Sequence, residues 1–90
     1  MRRRLAAILL LAGPATAGEL DRAAAAVARA CPAMQKHWPD HQIKCADLEA
    51  RREPWGWIVM RKGVRQHLHP GPAARLDPKL RLMDTVYLGS

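Results

Sequence analysis

Apolar and polar positions recur with different periods along this chain, and each change of period marks a predicted element. Leu5 to Leu11 is an unbroken apolar run. Leu20, Ala24, Val27, Cys31 and Met34 then follow at spacings of 4, 3, 4 and 3, an apolar stripe of helical period. Ala23 to Ala26 add the strongest helix former. Pro32 interrupts the register, because it removes a backbone donor and clashes with the preceding turn. The pattern predicts a helix from about Glu19 to Ala30, then a short second turn with Pro32 at its first position, reaching about His37.

Residues 40–52 fit helix and strand, and the choice stays open. Asp40 is a helix-capping residue type followed by good helix formers, but Ile43, Cys45 and Leu48 do not gather on one helical face. Glu53-Pro54-Trp55-Gly56 has proline second and glycine fourth, the pattern of a β-turn. That turn favours a strand over about Ile43 to Glu49, folding back on Trp57-Ile58-Val59-Met60. Trp57 to Arg61 is the strongest strand signal, β-branched and aromatic and apolar on both faces. Lys62-Gly63 reads as a two-residue hairpin turn. Val64 to His69 alternates as a further strand, with Arg65, His67 and His69 on one face. From His69-Pro70-Gly71-Pro72 to Pro78 the chain reads as a proline-rich loop. Leu80, Leu82, Val86 and Leu88 define a last strand, apolar on one side and interrupted by Asp84. The expected fold class is α+β: an N-terminal helix packed on a three- to four-stranded antiparallel β-meander, stapled by one disulfide.

The apolar run at the start changes the picture of where the chain works. Arg2, Arg3 and Arg4 precede it, Gly13 and Pro14 end it, and Ala15-Thr16-Ala17 follows as an A-x-A pattern. This is the layout of a secretory signal peptide cut between Ala17 and Gly18. The run falls well short of the roughly 20 apolar residues of a membrane span. The expectation is a bacterial Sec-type leader over 1–17 and one small exported domain over 18–90, periplasmic or secreted, with no transmembrane segment in the mature chain. The net charge of +7 overstates that domain. Of 15 basic residues three lie in the leader, so 15 − 3 = 12 face 8 acidic ones, a net +4.

Two cysteines in an exported chain pair most simply as Cys31–Cys45. Their midpoint is residue 38, and Trp38-Pro39-Asp40 is the turn that would bring the flanking segments together. A loop of 45 − 31 + 1 = 15 residues is worth about 3 kcal/mol by chain entropy. A domain below about 70–80 residues needs such a staple, or comes close to needing one.

Cys31-x5-His37-x3-His41-x3-Cys45 also holds the residue types of a structural zinc site. The oxidising compartment and the interruption at Pro39 favour the disulfide. His67 and His69 share a strand face and form the alternative, a periplasmic copper- or zinc-binding pair. Met34, Met60 and Met83 are separated and read as core filler.

Catalytic signatures are lacking. Thr85 and Ser90 are the mature chain's only aliphatic hydroxyls, so a Ser-His-Asp arrangement has no internal serine. There is no glycine-rich phosphate loop and no C-x-x-C redox spacing. The expectation is a non-enzyme without cofactor: a binding or accessory module acting through contacts with a periplasmic or extracellular protein. Trp55, at a turn, is a candidate anchor. Arg61, Lys62 and Arg65 form the one basic cluster, with Arg51 and Arg52 expected nearby across the hairpin. This edge suits weak contact with an anionic surface, and nucleic acid is not expected as a partner of an exported chain of modest charge.

Overall fold

A computed structural model describes residues 17–63 and 70–88. One helix, α1 (Ala17–His37), packs on a four-stranded antiparallel sheet of β1 (Leu48–Glu53), β2 (Gly56–Arg61), β3 (Gly71–Leu76) and β4 (Leu82–Leu88). The strands lie side by side in chain order, a plain meander. Two single 3-10 turns, Pro39–His41 and Cys45–Asp47, carry the chain from α1 to β1. The expected α+β class with its one disulfide is the architecture found.

α1 runs through Pro32 without the expected break. Proline removes one i→i−4 hydrogen bond, but Pro32 is exposed while Cys31 and Met34 on either side of it are fully buried. Burial of those two side chains, with the disulfide at Cys31, holds the helix together across the proline. The buried stripe is also rotated from the expected one. Ala26, Ala30, Cys31 and Met34 are buried with Ala23 and Val27 beside them, whereas Leu20 is 59% exposed and Ala24 points to solvent. Small residues face the sheet because Trp57, 2% exposed, already fills the middle of that interface. A close-packed interior sets a large side chain against small ones.

Residues 40–52, which fitted either element, are divided. Ile43 is buried in an irregular segment, Cys45–Asp47 is a 3-10 turn, and β1 begins only at Leu48. Its register with β2 sets Leu48 opposite Arg61 and Glu53 opposite Gly56, so Pro54-Trp55 is the two-residue turn. Gly56 has φ +151, and a Cβ there would lie 2.1 Å from the backbone oxygen of Leu76. Only glycine lets this turn lie so close to the end of β3.

The third strand is not where the pattern put it. Val64–His69 lies outside the described residues, and β3 is Gly71–Leu76, inside the expected proline-rich loop. Pro72 is tolerated because the β2–β3 ladder spans only Trp57↔Leu76 to Val59↔Ala74, while Pro72 pairs with Tyr87 of β4. A proline at the second position of a strand, paired in the ladder on one side, removes no essential donor.

The turn between β3 and β4 is built on Asp77. Its carboxylate accepts the backbone N–H groups of Lys79 and Arg81, both at 2.9 Å, and Arg81 Nε at 2.8 Å. These bonds, the backbone N–H of Arg81 foremost, hold the Asp77 carboxyl below its ordinary range. The pairing slips by one residue between Arg75↔Asp84 and Leu76↔Leu82. This bulge splits the apolar face expected for β4. Leu82 turns to the helix side, and Val86 and Leu88 pack on the other side with Ile58, Met60 and Ala73. Asp84 is no mere interruption, because it faces Arg75 across the ladder and accepts hydrogen bonds from its guanidinium.

Candidate functional site

Each outer strand of a meander leaves one row of backbone N–H and C=O groups without a strand partner. Among the described residues the outer strands are β1 and β4. Both border α1, and a groove lies between the helix and each of them.

The groove on the β1 side encloses about 270 Å³ and is lined by Glu19, Leu20, Ala23, Ala50, Arg52 and Trp57. Charged side chains cross it: Arg52 is 3.5 Å from the Glu19 carboxylate, and its guanidinium lies 5.4 Å from the centre of the Trp57 ring. Arg51 pairs with Glu49 at 3.0 Å along the same strand.

The groove on the β4 side is larger, about 400 Å³, and is lined by Ala33, Lys36, His37, Leu82 and Thr85. Beside it the strand exposes three large apolar side chains: Leu82, Met83 and Tyr87, at 43%, 54% and 55%. Met34 and Met60 are the expected core filler, but Met83, at the bulge, is not. Tyr87 stands on a bed of rings, with its centroid 6.4 Å from Trp38 and 5.9 Å from His41, while His37 lies edge-on to Trp38 at 4.5 Å. A half-exposed tyrosine supported from below loses little conformational freedom when a partner covers it.

Charge around β4 has a definite sign. The Arg75 guanidinium beside Asp84 holds that carboxyl below its ordinary range, and the same contact raises Arg75. Asp77 is taken by Arg81. Lys36 lines the groove and Lys79 is exposed in the β3–β4 turn, neither with a carboxylate partner among the described residues.

Cys31 and Cys45 are bonded, with their Cα atoms 5.6 Å apart. Their sulfurs are therefore committed to each other, and His37 and His41 turn to the Trp38–Tyr87 stack. Among the described residues no three His, Cys, Asp or Glu side chains are grouped to hold a metal ion. His67 and His69 lie outside the described residues, as does Arg65. Ala17 and Gly18, between which cleavage was expected, are the first two residues of α1.

The other expected contact residues do not form one surface. Trp55 is 39% exposed at the β1–β2 turn, with Arg75 over its ring, 5.9 Å from the centroid. Arg61 donates to the backbone oxygen of His41, and Lys62 is exposed in the turn beyond β2. Arg51 faces Ile58 and Arg61 faces Leu48, so Arg51 is three positions, roughly 10 Å, from the basic turn it was expected to join. Sequence reasoning did not find the β4 site. Its one signal was an apolar strand with a single charge at the end of a small chain.

No helix among the described residues is long and apolar enough to cross a membrane. Compared with models of known protein families, with curated proteins and with solved structures, the chain matches none.

Proposed function

We propose that this chain is a small exported module without catalytic activity that acts by binding another protein, and that the β4 edge with its groove is the binding surface. The observation carrying this reading is the exposure of Leu82, Met83 and Tyr87 on an outer strand beside an open groove. Strand edges are usually blunted by charge, proline or cover, and an edge left apolar suits strand addition by a partner. The A-x-A pattern after the apolar run supports a partner in the periplasm or outside the cell. A support of another kind is the exposed Tyr87, because tyrosine is enriched among residues that dominate binding energy.

The test is recovery of proteins from a periplasmic extract by the disulfide-bonded chain and by a Met83→Lys variant. Lysine on an outer strand hinders pairing, and substitution of an exposed residue should leave stability within about 0.5 kcal/mol. A protein retained by the natural chain and lost with the variant, at unchanged melting temperature, supports the reading. Equal recovery by both moves the binding surface away from β4.

A further inference from the structure

We infer that Cys45 is the site at which thiol–disulfide exchange enters this chain, and that a dithiol reductant acting there releases the segment between the two cysteines, the helix-side wall of the β4 groove included. The inference does not depend on what binds at β4.

The two sulfurs of the bond are unequally placed. Cys31 is 0% exposed, in the core with Ala26, Ala30 and Met34. Cys45 opens the 3-10 turn Cys45–Asp47 and is exposed. Its sulfur has the side-chain amide of Gln35 at 3.9 Å, and Gln35 is itself exposed. Exchange begins when a thiolate reaches one sulfur of the bond, so access decides which sulfur is attacked. Core packing closes that approach at Cys31, and solvent opens it at Cys45.

The step is a two-electron transfer. A thiolate of the reductant bonds to the Cys45 sulfur, the S–S bond breaks, and its electron pair leaves on the Cys31 sulfur, which takes up a proton. The reductant's second thiolate then attacks its own sulfur in the mixed disulfide, and the Cys45 sulfur departs and is protonated. The reductant ends as a disulfide and the chain as a dithiol.

Position defines what the bond holds. Ala33, Lys36 and His37, the helix-side lining of the β4 groove, lie between the cysteines, as do Trp38 and His41 under Tyr87. Leu82 and Thr85, the strand-side lining, do not. α1 is weakest at the start of this segment, because Pro32 has no N–H to donate to the Ala28 oxygen and its ring crowds that carbonyl. Without the bond, Met34 and Ile43 remain as apolar anchors, with Arg61 on the His41 oxygen. The bond from Gln35 to the Ile43 oxygen, 2.9 Å, ties the segment only to itself. Residues up to Ala30 keep their own packing with Trp57. Reduction therefore acts on one wall of the groove and leaves the other in the sheet.

The test uses the disulfide-bonded chain. It is exposed to reduced glutathione, a monothiol whose first product is the mixed disulfide, then quenched in acid and mapped by mass spectrometry. The adduct is expected on Cys45 and not on Cys31. Equal adducts on both cysteines, or exchange only in denaturant, overturn the site of entry. Backbone chemical shifts are then compared before and after full reduction by dithiothreitol. They should move throughout 33–47 and at Tyr87, while Ala23–Ala30 and Trp57–Arg61 keep the oxidised pattern. Shifts confined to the cysteines and their immediate neighbours would mean that packing holds the segment without the bond. Collapse of all shifts to unfolded values would mean that the bond staples the whole domain. Either result overturns the release.

Discussion

At one edge of the sheet β1 carries four charged side chains in six residues, and at the other β4 carries one in seven. Both strands face the same helix, and both leave a backbone row without a strand partner among the described residues. They differ in what guards that row. Along β1, Arg52 reaches Glu19 on the helix and lies over Trp57, so the groove behind the strand is bridged by charge. Along β4 the lone carboxylate pairs with Arg75 on the neighbouring strand, and Leu82, Met83 and Tyr87 are exposed. A sheet with one edge guarded by charge and one edge left apolar differs in how readily each edge accepts another strand.

The largest effect is expected from removing what the two edges share. Cys31–Cys45 ties the middle of α1, which borders both grooves, to the segment that leads into β1. Cys45→Ala should cost about 2–5 kcal/mol, the usual range for a small secreted domain. Urea unfolding with and without reductant measures it. A loss below about 1 kcal/mol would mean that helix–sheet packing alone positions both edges.

A change at Gly56 should separate the two sides. Its substitution by Ala puts a Cβ on the backbone oxygen of Leu76, which must move. The expected cost is about 3 kcal/mol, at the upper end of ordinary single substitutions. Amide exchange should quicken first in β1 and at the β1–β2 turn. If β4 loosens equally, the sheet opens as one unit, and the difference between the edges is confined to their side chains.

Acid should act on the opposite side, with the smallest effect. Asp77 and Asp84 both have carboxyl groups held below their ordinary range by hydrogen bonds, from the Arg81 backbone and the Arg75 guanidinium respectively. Folding thus favours their ionised forms. Their contribution is complete above the unfolded carboxylate value of about 4 and is lost as pH falls through the lower folded values. Chemical shifts followed from pH 6 downward should show the β3–β4 turn and the start of β4 responding below about pH 4. Uniform loss of structure across both edges would show that these two carboxylates do not control β4 locally.

Much of the fold was legible because local chemistry and tertiary packing agree. The Trp57–Arg61 run became β2, Glu53-Pro54-Trp55-Gly56 became its turn, and the cysteine spacing became a bonded pair. Where they disagree, the pattern misled. Gly71–Leu76 reads as a loop because Pro70, Pro72 and Pro78 crowd it, and single-residue propensity has no knowledge of which ladder a proline sits beyond. Pro32 reads as a break because the anchoring of its neighbours depends on residues far along the chain.

The candidate site was the least legible part for the same reason. Leu82 and Met83 look like core residues in one dimension, and only the bulge against Arg75 and Leu76 turns them outward. The sequence by itself determined the fold class, the staple, the strand at Trp57–Arg61 and the lack of familiar catalytic signatures, because those depend on residue chemistry and short spacings. The tertiary structure alone decided which alanines face Trp57, which proline can enter a strand, and which edge stays apolar. Each of those depends on a partner distant in sequence, and neither local propensity nor periodicity carries that information.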